Sequence, residues 1–363
     1  MRRRTATVLL FLLSTAAALV AGEGVVRLLA PQPLRPAWDD ELGGIRVARP
    51  GVRGRHSAPG AFDVTVTINR QRLRGRREYG PRPDGATRIA VLGDSMTFGW
   101  GVEDGETYPA QLEEILQAGG GRVEVINAGF PGTCLGEKAA WYTTGVRPLA
   151  PSLVVLTLLG DDVDGDLYWR VFERDAEGIA VRVAAGPGAA SARRTRGLFQ
   201  RLPGYATLAE RSHLFGLVRR SVTRVVSRER TTALGQAPAT ADDVRRFREE
   251  GLPLLRAEIA WLDDRVREDG GELVVAFVPF REGVYGDAGW WPDELRWKSR
   301  EIAQAAADVC RRRGLRFRDT TAALARRAAS ATLYHAGAET HPTPAGYRAI
   351  AEEVADLLAE GAP

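Results

Sequence analysis

Three short blocks hold residue types that together could transfer an acyl group. The first is RIAVLGDSMTFGWGV (88–102), an apolar run that ends in Gly93-Asp94-Ser95 and leads toward a helix. A serine at such a strand-to-helix turn sits at the carboxyl edge of a sheet, where helix N–H groups can stabilise a developing oxyanion. The spacing is not that of a G-x-S-x-G nucleophile elbow. Turns also use Gly, Asp and Ser routinely, so the tripeptide gains meaning only from its partners. The second block, VEVINAGFPGT (123–133), ends a strand at Asn127 and follows it with Gly129 and Gly132. A glycine lets backbone approach a reacting group closely, which suits an oxyanion donor. The third block, ETHPTPAGY (339–347), places His341 between Glu339 and two prolines at a helix start. A serine hydroxyl is a poor nucleophile at neutral pH and needs a base. The chain has four histidines, His56, His213, His335 and His341, and His341 has the most suitable setting.

The elements that must position these blocks follow from periodicity. Short apolar runs at 88–92, 123–126, 153–158, 273–278 and 315–317 read as buried strands. Amphipathic stretches at 108–117, 244–268, 294–313 and 344–358 separate them. That alternation predicts a parallel sheet covered on both faces, with ligands at the carboxyl ends of its strands. Residues 31–85 are rich in Pro, Arg and Gly and contain one alternating strand-like run, 63–69. They read as an arm connecting to, and packing on, a main domain of residues 86–363. Residues 164–242 interrupt the alternation and read as an insertion capping the site, with a basic amphipathic helix at 206–227. Its arginines are candidates for contact with anionic lipid headgroups; a solvated face is the plainer reading.

The blocks, in this order, resemble the SGNH/GDSL hydrolases from residue 89 to about residue 358. The resemblance implies a flavodoxin-like α/β/α sandwich. It implies Ser95 as nucleophile and, through its backbone N–H, as an oxyanion donor, with Gly132 as a second donor and His341 as base. Asp94 is a supporting residue beside the nucleophile. The arm and the N-terminal segment are similar to those of membrane-anchored bacterial members.

Two departures stand out. The family's third block supplies an Asn to the oxyanion hole, whereas LLGDDV (158–163) places Asp161 there. An ionised carboxylate only accepts hydrogen bonds. Either Asp161 is held protonated, or the hole works with two donors, or the site is weak or repurposed. The usual triad Asp lies three residues before the histidine, where this chain has Ala338. Glu339, two residues before, is therefore assigned as the acid that orients His341. Asp162, Asp164 and Asp166 with Glu173 imitate calcium-loop spacing, but Leu167 stands where such a loop needs glycine, so no metal or other cofactor is expected.

The N-terminus bears on where this chemistry takes place. Arg2, Arg3 and Arg4 precede an apolar run at 5–21, the pattern of an export signal. The run reads as an uncleaved anchor that continues to Pro31, with Glu23 and Arg27 paired one turn apart. Cleavage near Ala21–Gly22 is the alternative, disfavoured by Leu19. Charge ahead of the span keeps the N-terminus inside and sends the domain outward. Of the 50 basic residues only Lys138 and Lys298 are lysines, so the net charge of +4 reflects an arginine-rich composition. No basic stripe interleaved with aromatics appears, and nucleic acid is not an expected partner. Cys134 and Cys310 have no metal or disulfide spacing and read as buried thiols. The sequence thus predicts a tethered, extracytoplasmic serine esterase acting on O-acyl groups of envelope carbohydrate or on small lipid esters. O-acyl transfer to a sugar, or a decayed binding module, are the alternatives.

Overall fold

A computed structural model describes residues 2–183, 199, 202–226, 240–286, 293–336 and 340–360. The long helix Arg2–Leu29 comes first, followed by two antiparallel hairpins. These are β1 (Asp39–Leu42) with β2 (Ile45–Ala48), and β3 (Arg53–Ala58) with β4 (Phe62–Thr67). The central sheet is built from β5 (Thr87–Leu92), β6 (Val123–Asn127), β7 (Leu153–Leu158), β10 (Glu272–Phe277) and β11 (Arg316–Asp319). A small hairpin, β8 (Phe172–Arg174) with β9 (Ala180–Arg182), lies outside it.

All five central strands run parallel in the order β11-β10-β7-β5-β6. Their side chains alternate between two apolar layers. Ala90, Leu92, Leu156, Leu158, Val275 and Phe277 face one cluster, which includes residues of the helices Leu135–Trp141, Leu252–Glu268 and Asp293–Arg313. Ile89, Val91, Val125, Val155, Val274 and Ala276 face the other, with the helices Tyr108–Ala118, Thr321–Ala328 and Pro344–Ala359. This is the flavodoxin-like α/β/α sandwich, and its reversal of strand order between β5 and β7 opens a crevice at their carboxyl ends.

Several elements differ from the sequence reading. The arm holds two hairpins, because β1 and β2 lie among charged and glycine residues that mask their alternation. The stretch predicted as one helix at 244–268 is Ala241–Arg246, a wider π-turn at Phe247–Gly251, and then Leu252–Glu268. The basic helix is two helices, Tyr205–Arg211 and His213–Val226, broken at Ser212, whose hydroxyl accepts from Phe215 N at 3.0 Å. These two helices pack on the N-terminal helix and on β3. Both cysteines are buried, unpaired thiols.

Candidate active site

Strand β5 delivers Ser95. The chain leaves the sheet at Gly93, and Asp94 caps the short helix Ser95–Phe98 by accepting from Met96 N at 2.9 Å. Asp94 is buried and committed to that bond, and Ser95 stands half-buried as the first helical residue. Asn127, at the end of β6, binds the same turn from the other side. Its Nδ2 donates to the Thr97 carbonyl at 2.9 Å, while its Oδ1 accepts from Gly129 N at 3.1 Å. A Cβ at position 129 would lie 2.5 Å from Phe98 N, so only glycine allows the two loops to approach this closely. Gly132 has φ +74°, which turns the loop before the helix Leu135–Trp141.

His341 arrives from the far end of the chain. Its loop is held by a β-bridge between Tyr334 and Pro342 and by His335 N donating to the His341 carbonyl at 3.0 Å. Thr343 caps the helix Pro344–Ala359, with Pro344 at its first position, where a missing N–H costs nothing. The result is a contact across 246 residues of sequence: His341 Nε2 lies 2.9 Å from Ser95 Oγ. Glu339, assigned to orient this histidine, lies outside the described residues.

Asp161 ends the turn after β7, as the residue before the helix Asp162–Trp169, yet its side chain makes no capping bond. It is half-buried. Desolvation, reinforced by the Asp94 and Asp162 carboxylates, pushes its pKa up to about 8, against the opposing pull of Lys138. Beneath it, fully buried Lys138 holds Asp162 with Nζ–O distances of 2.6 and 2.8 Å and donates to the Thr157 carbonyl at 3.1 Å. Burial lifts Asp162 to about 6 despite this partner. Burial also works against the Lys138 charge, but Asp162 and Asp94 hold its pKa above the ordinary lysine value. The three aspartates with calcium-like spacing face separate partners. Asp162 meets Lys138, Asp164 meets Lys298 at 2.8 Å, and Asp166 accepts from Gly136 N at 2.8 Å.

Sequence reasoning missed the contribution of the arm. Trp100 stacks on His341 with centroids 5.3 Å apart and planes 24° apart. Behind it, His56 lies edge-on to Trp100 at 4.4 Å and to Trp38 at 5.0 Å. Trp38 and Phe98 are completely buried in this cluster. Arg46, from β2, forms a buried ion pair with Glu137, lies 4.0 Å over the Trp169 ring, and reaches the loop at Gly132. Trp100 stands inside the first block, and its proximity to Ser95 was the one signal available for it.

The GDSL-like lipase/acylhydrolase family model matches residues 91–349, from within β5 to within the last helix. The chain belongs to this family. As a member it is an ester-hydrolysing enzyme. No curated protein matches it. Among solved structures the chain is similar to TesA, with 13% identity over 76% of this chain and 99% of that one, and a TM-score of 0.43. It is similar to a G-D-S-L family protein from Desulfitobacterium hafniense DCB-2, with 13% identity over 75% and 99% of the two chains and a TM-score of 0.42. A catalytic mutant of Axe2, an acetylxylan esterase from Geobacillus stearothermophilus, shares 14% identity over 75% of this chain and 94% of that one, with a TM-score of 0.42.

Proposed function

We propose that this family member is a serine esterase tethered by the helix Arg2–Leu29, with its domain on the extracytoplasmic side. Its substrates are O-acyl groups of envelope carbohydrate or small lipid esters. The observation that carries the reading is the 2.9 Å contact of Ser95 Oγ with His341 Nε2 at the carboxyl edge of the sheet. The segment Arg4–Leu29 is long and apolar enough to cross a membrane, which supports the tether.

In the reaction, Ser95 Oγ attacks the ester carbonyl carbon while His341 Nε2 takes its proton. The oxyanion is held by the N–H groups of Ser95 and Gly132 and by protonated Asp161 as a third donor. Glu339 orients the imidazole. As the tetrahedral species collapses, the carbon–oxygen bond to the alcohol breaks and His341 protonates the leaving oxygen. Water, deprotonated by His341, then attacks the acyl-enzyme; the carboxylic acid leaves and the proton returns to Ser95.

A fluorophosphonate probe should label the intact protein at Ser95. Labelling should vanish in Ser95→Ala and in His341→Ala, with ester turnover down by about 10⁶-fold in the serine variant. Labelling that survives Ser95→Ala would overturn the assignment.

A further inference from the structure

The break between the helices Tyr205–Arg211 and His213–Val226 is clamped to the N-terminal helix. Glu23 accepts from Ser212 Oγ at 2.7 Å, from Leu214 N at 2.9 Å and from His213 N at 3.0 Å. Arg27 donates to the Arg211 carbonyl at 2.9 Å, and Gln32 N donates to His213 Nδ1 at 2.8 Å. A carboxylate here satisfies N–H groups at a helix start that have no partner within the helix. The joint is therefore rigid, and it links the tether to an amphipathic helix.

Its position along the tether sets a height. The apolar run at 5–21 covers about 25 Å at the helical rise, close to the thickness of a hydrocarbon core. Glu23 falls just past that run, so the helix it caps starts at the membrane–water boundary. The side chain of Leu214 packs against Gly22 of the tether. Leu217, Val218 and Ser221 follow at intervals of three, four and seven residues, hence on the same face, and all are exposed. The other side of the helix faces the arm, with Gly216 buried against Gln32 and Leu34. A face that begins on the tether and runs beyond it at this height meets lipid. Arg220, exposed, borders the stripe on the same helix, and exposed Arg211 ends the preceding helix just before the break at Ser212. Apolar groups bordered by arginine form the pattern of an interfacial helix on anionic lipid.

We propose that the helix His213–Val226 lies in the membrane interface. Leu217 and Val218 enter the boundary between headgroups and acyl chains, and Arg211 and Arg220 meet anionic phosphates. The inference rests on the tether reading above. The domain is then seated against the bilayer at a set height.

The test uses the full chain in vesicles of phosphatidylcholine with phosphatidylglycerol, and in phosphatidylcholine alone. Spin labels are placed singly by Leu10→Cys, Leu217→Cys and Ser330→Cys; the native thiols are buried. Accessibility to oxygen is compared with accessibility to a water-soluble nickel chelate. The oxygen-to-nickel ratio at position 217 should exceed that at position 330 several-fold and approach that at position 10. Adding Arg211→Gln and Arg220→Gln should lower the ratio at 217 in anionic vesicles and leave it unchanged in neutral ones. If position 217 reads as aqueous as 330 while position 10 reads lipid, the interfacial helix is wrong and the tether stands. If position 10 is aqueous as well, the tether reading falls and takes this one with it. Dipolar broadening between labels at 217, with both reagents excluded, would assign the stripe to a second copy of the chain and overturn the proposal.

Discussion

Two strands of the central sheet end in the same way and do different things. After β5 come Gly93, Asp94 and a helix starting at Ser95; after β7, one residue later, come Gly160, Asp161 and a helix starting at Asp162. In the first junction the aspartate spends its carboxylate on Met96 N, and the residue after it is free to meet His341. In the second the arrangement is reversed. Asp162 is taken up by Lys138 and by Leu159 N at 2.8 Å, while Asp161 makes no cap and is half-buried. The same Gly-Asp turn therefore ties down a different residue in each case, its second, Asp94, after β5 and its third, Asp162, after β7.

The most damaging way to break the second junction is to remove its cation. Lys138→Met leaves Asp162 buried without its charge partner and should cost about 3–5 kcal/mol of stability, read from denaturant unfolding. Adding Asp162→Asn should recover most of that loss, because the uncompensated charge is gone. Stability unchanged in Lys138→Met would mean that the pair does not hold the turn.

The contrast sharpens at Asp161. Only its protonated form donates, and its pKa stands near 8, so the oxyanion support proposed for it would be present below that value and lost as pH rises through it. Esterase turnover should fall on the alkaline side. Asp161→Asn supplies a permanent donor and should abolish that alkaline fall, with a gain approaching the roughly hundredfold worth of one oxyanion donor at high pH. A variant inert at every pH would remove Asp161 from the hole.

The smallest effect is expected at the first junction. Asp94→Ala removes one cap and should cost about 1 kcal/mol, measured as a modest fall in melting temperature. Asp94→Asn should restore most of it, since an amide oxygen also accepts from Met96 N. A cost for Asp94→Ala equal to that of Lys138→Met would erase the distinction between the junctions.

The strands and the Ser95–His341 pair were legible because each rests on a local pattern. Apolar runs such as 153–158 are bounded by turn residues, and the three blocks each carry their own punctuation. What was not legible depends on partners distant in sequence. Nothing near Lys138 announces Asp162, and nothing near Ser212 announces that Glu23 will cap the helix beginning there. The first hairpin of the arm was obscured because Arg46 occupies a buried strand position that the alternation rule reserves for apolar groups. Arg46 is tolerated there only because Glu137 and the Trp169 ring enclose it.

The aromatic contacts behind His341 also bear on how this chain can be divided. Read as a sheet with a leader, it would be cut near Gly85, just ahead of β5. That cut would strip Trp38 and His56 from the back of Trp100 and remove Arg46 from the loop at Gly132. The smallest inheritable unit with an intact crevice therefore begins ahead of Leu34, whose backbone pairs with Ser57 in β3. Any exchange of leaders between relatives that respects only the sheet would carry Ser95 and His341 across but leave behind the arm residues that pack against Trp100 and the loop at Gly132.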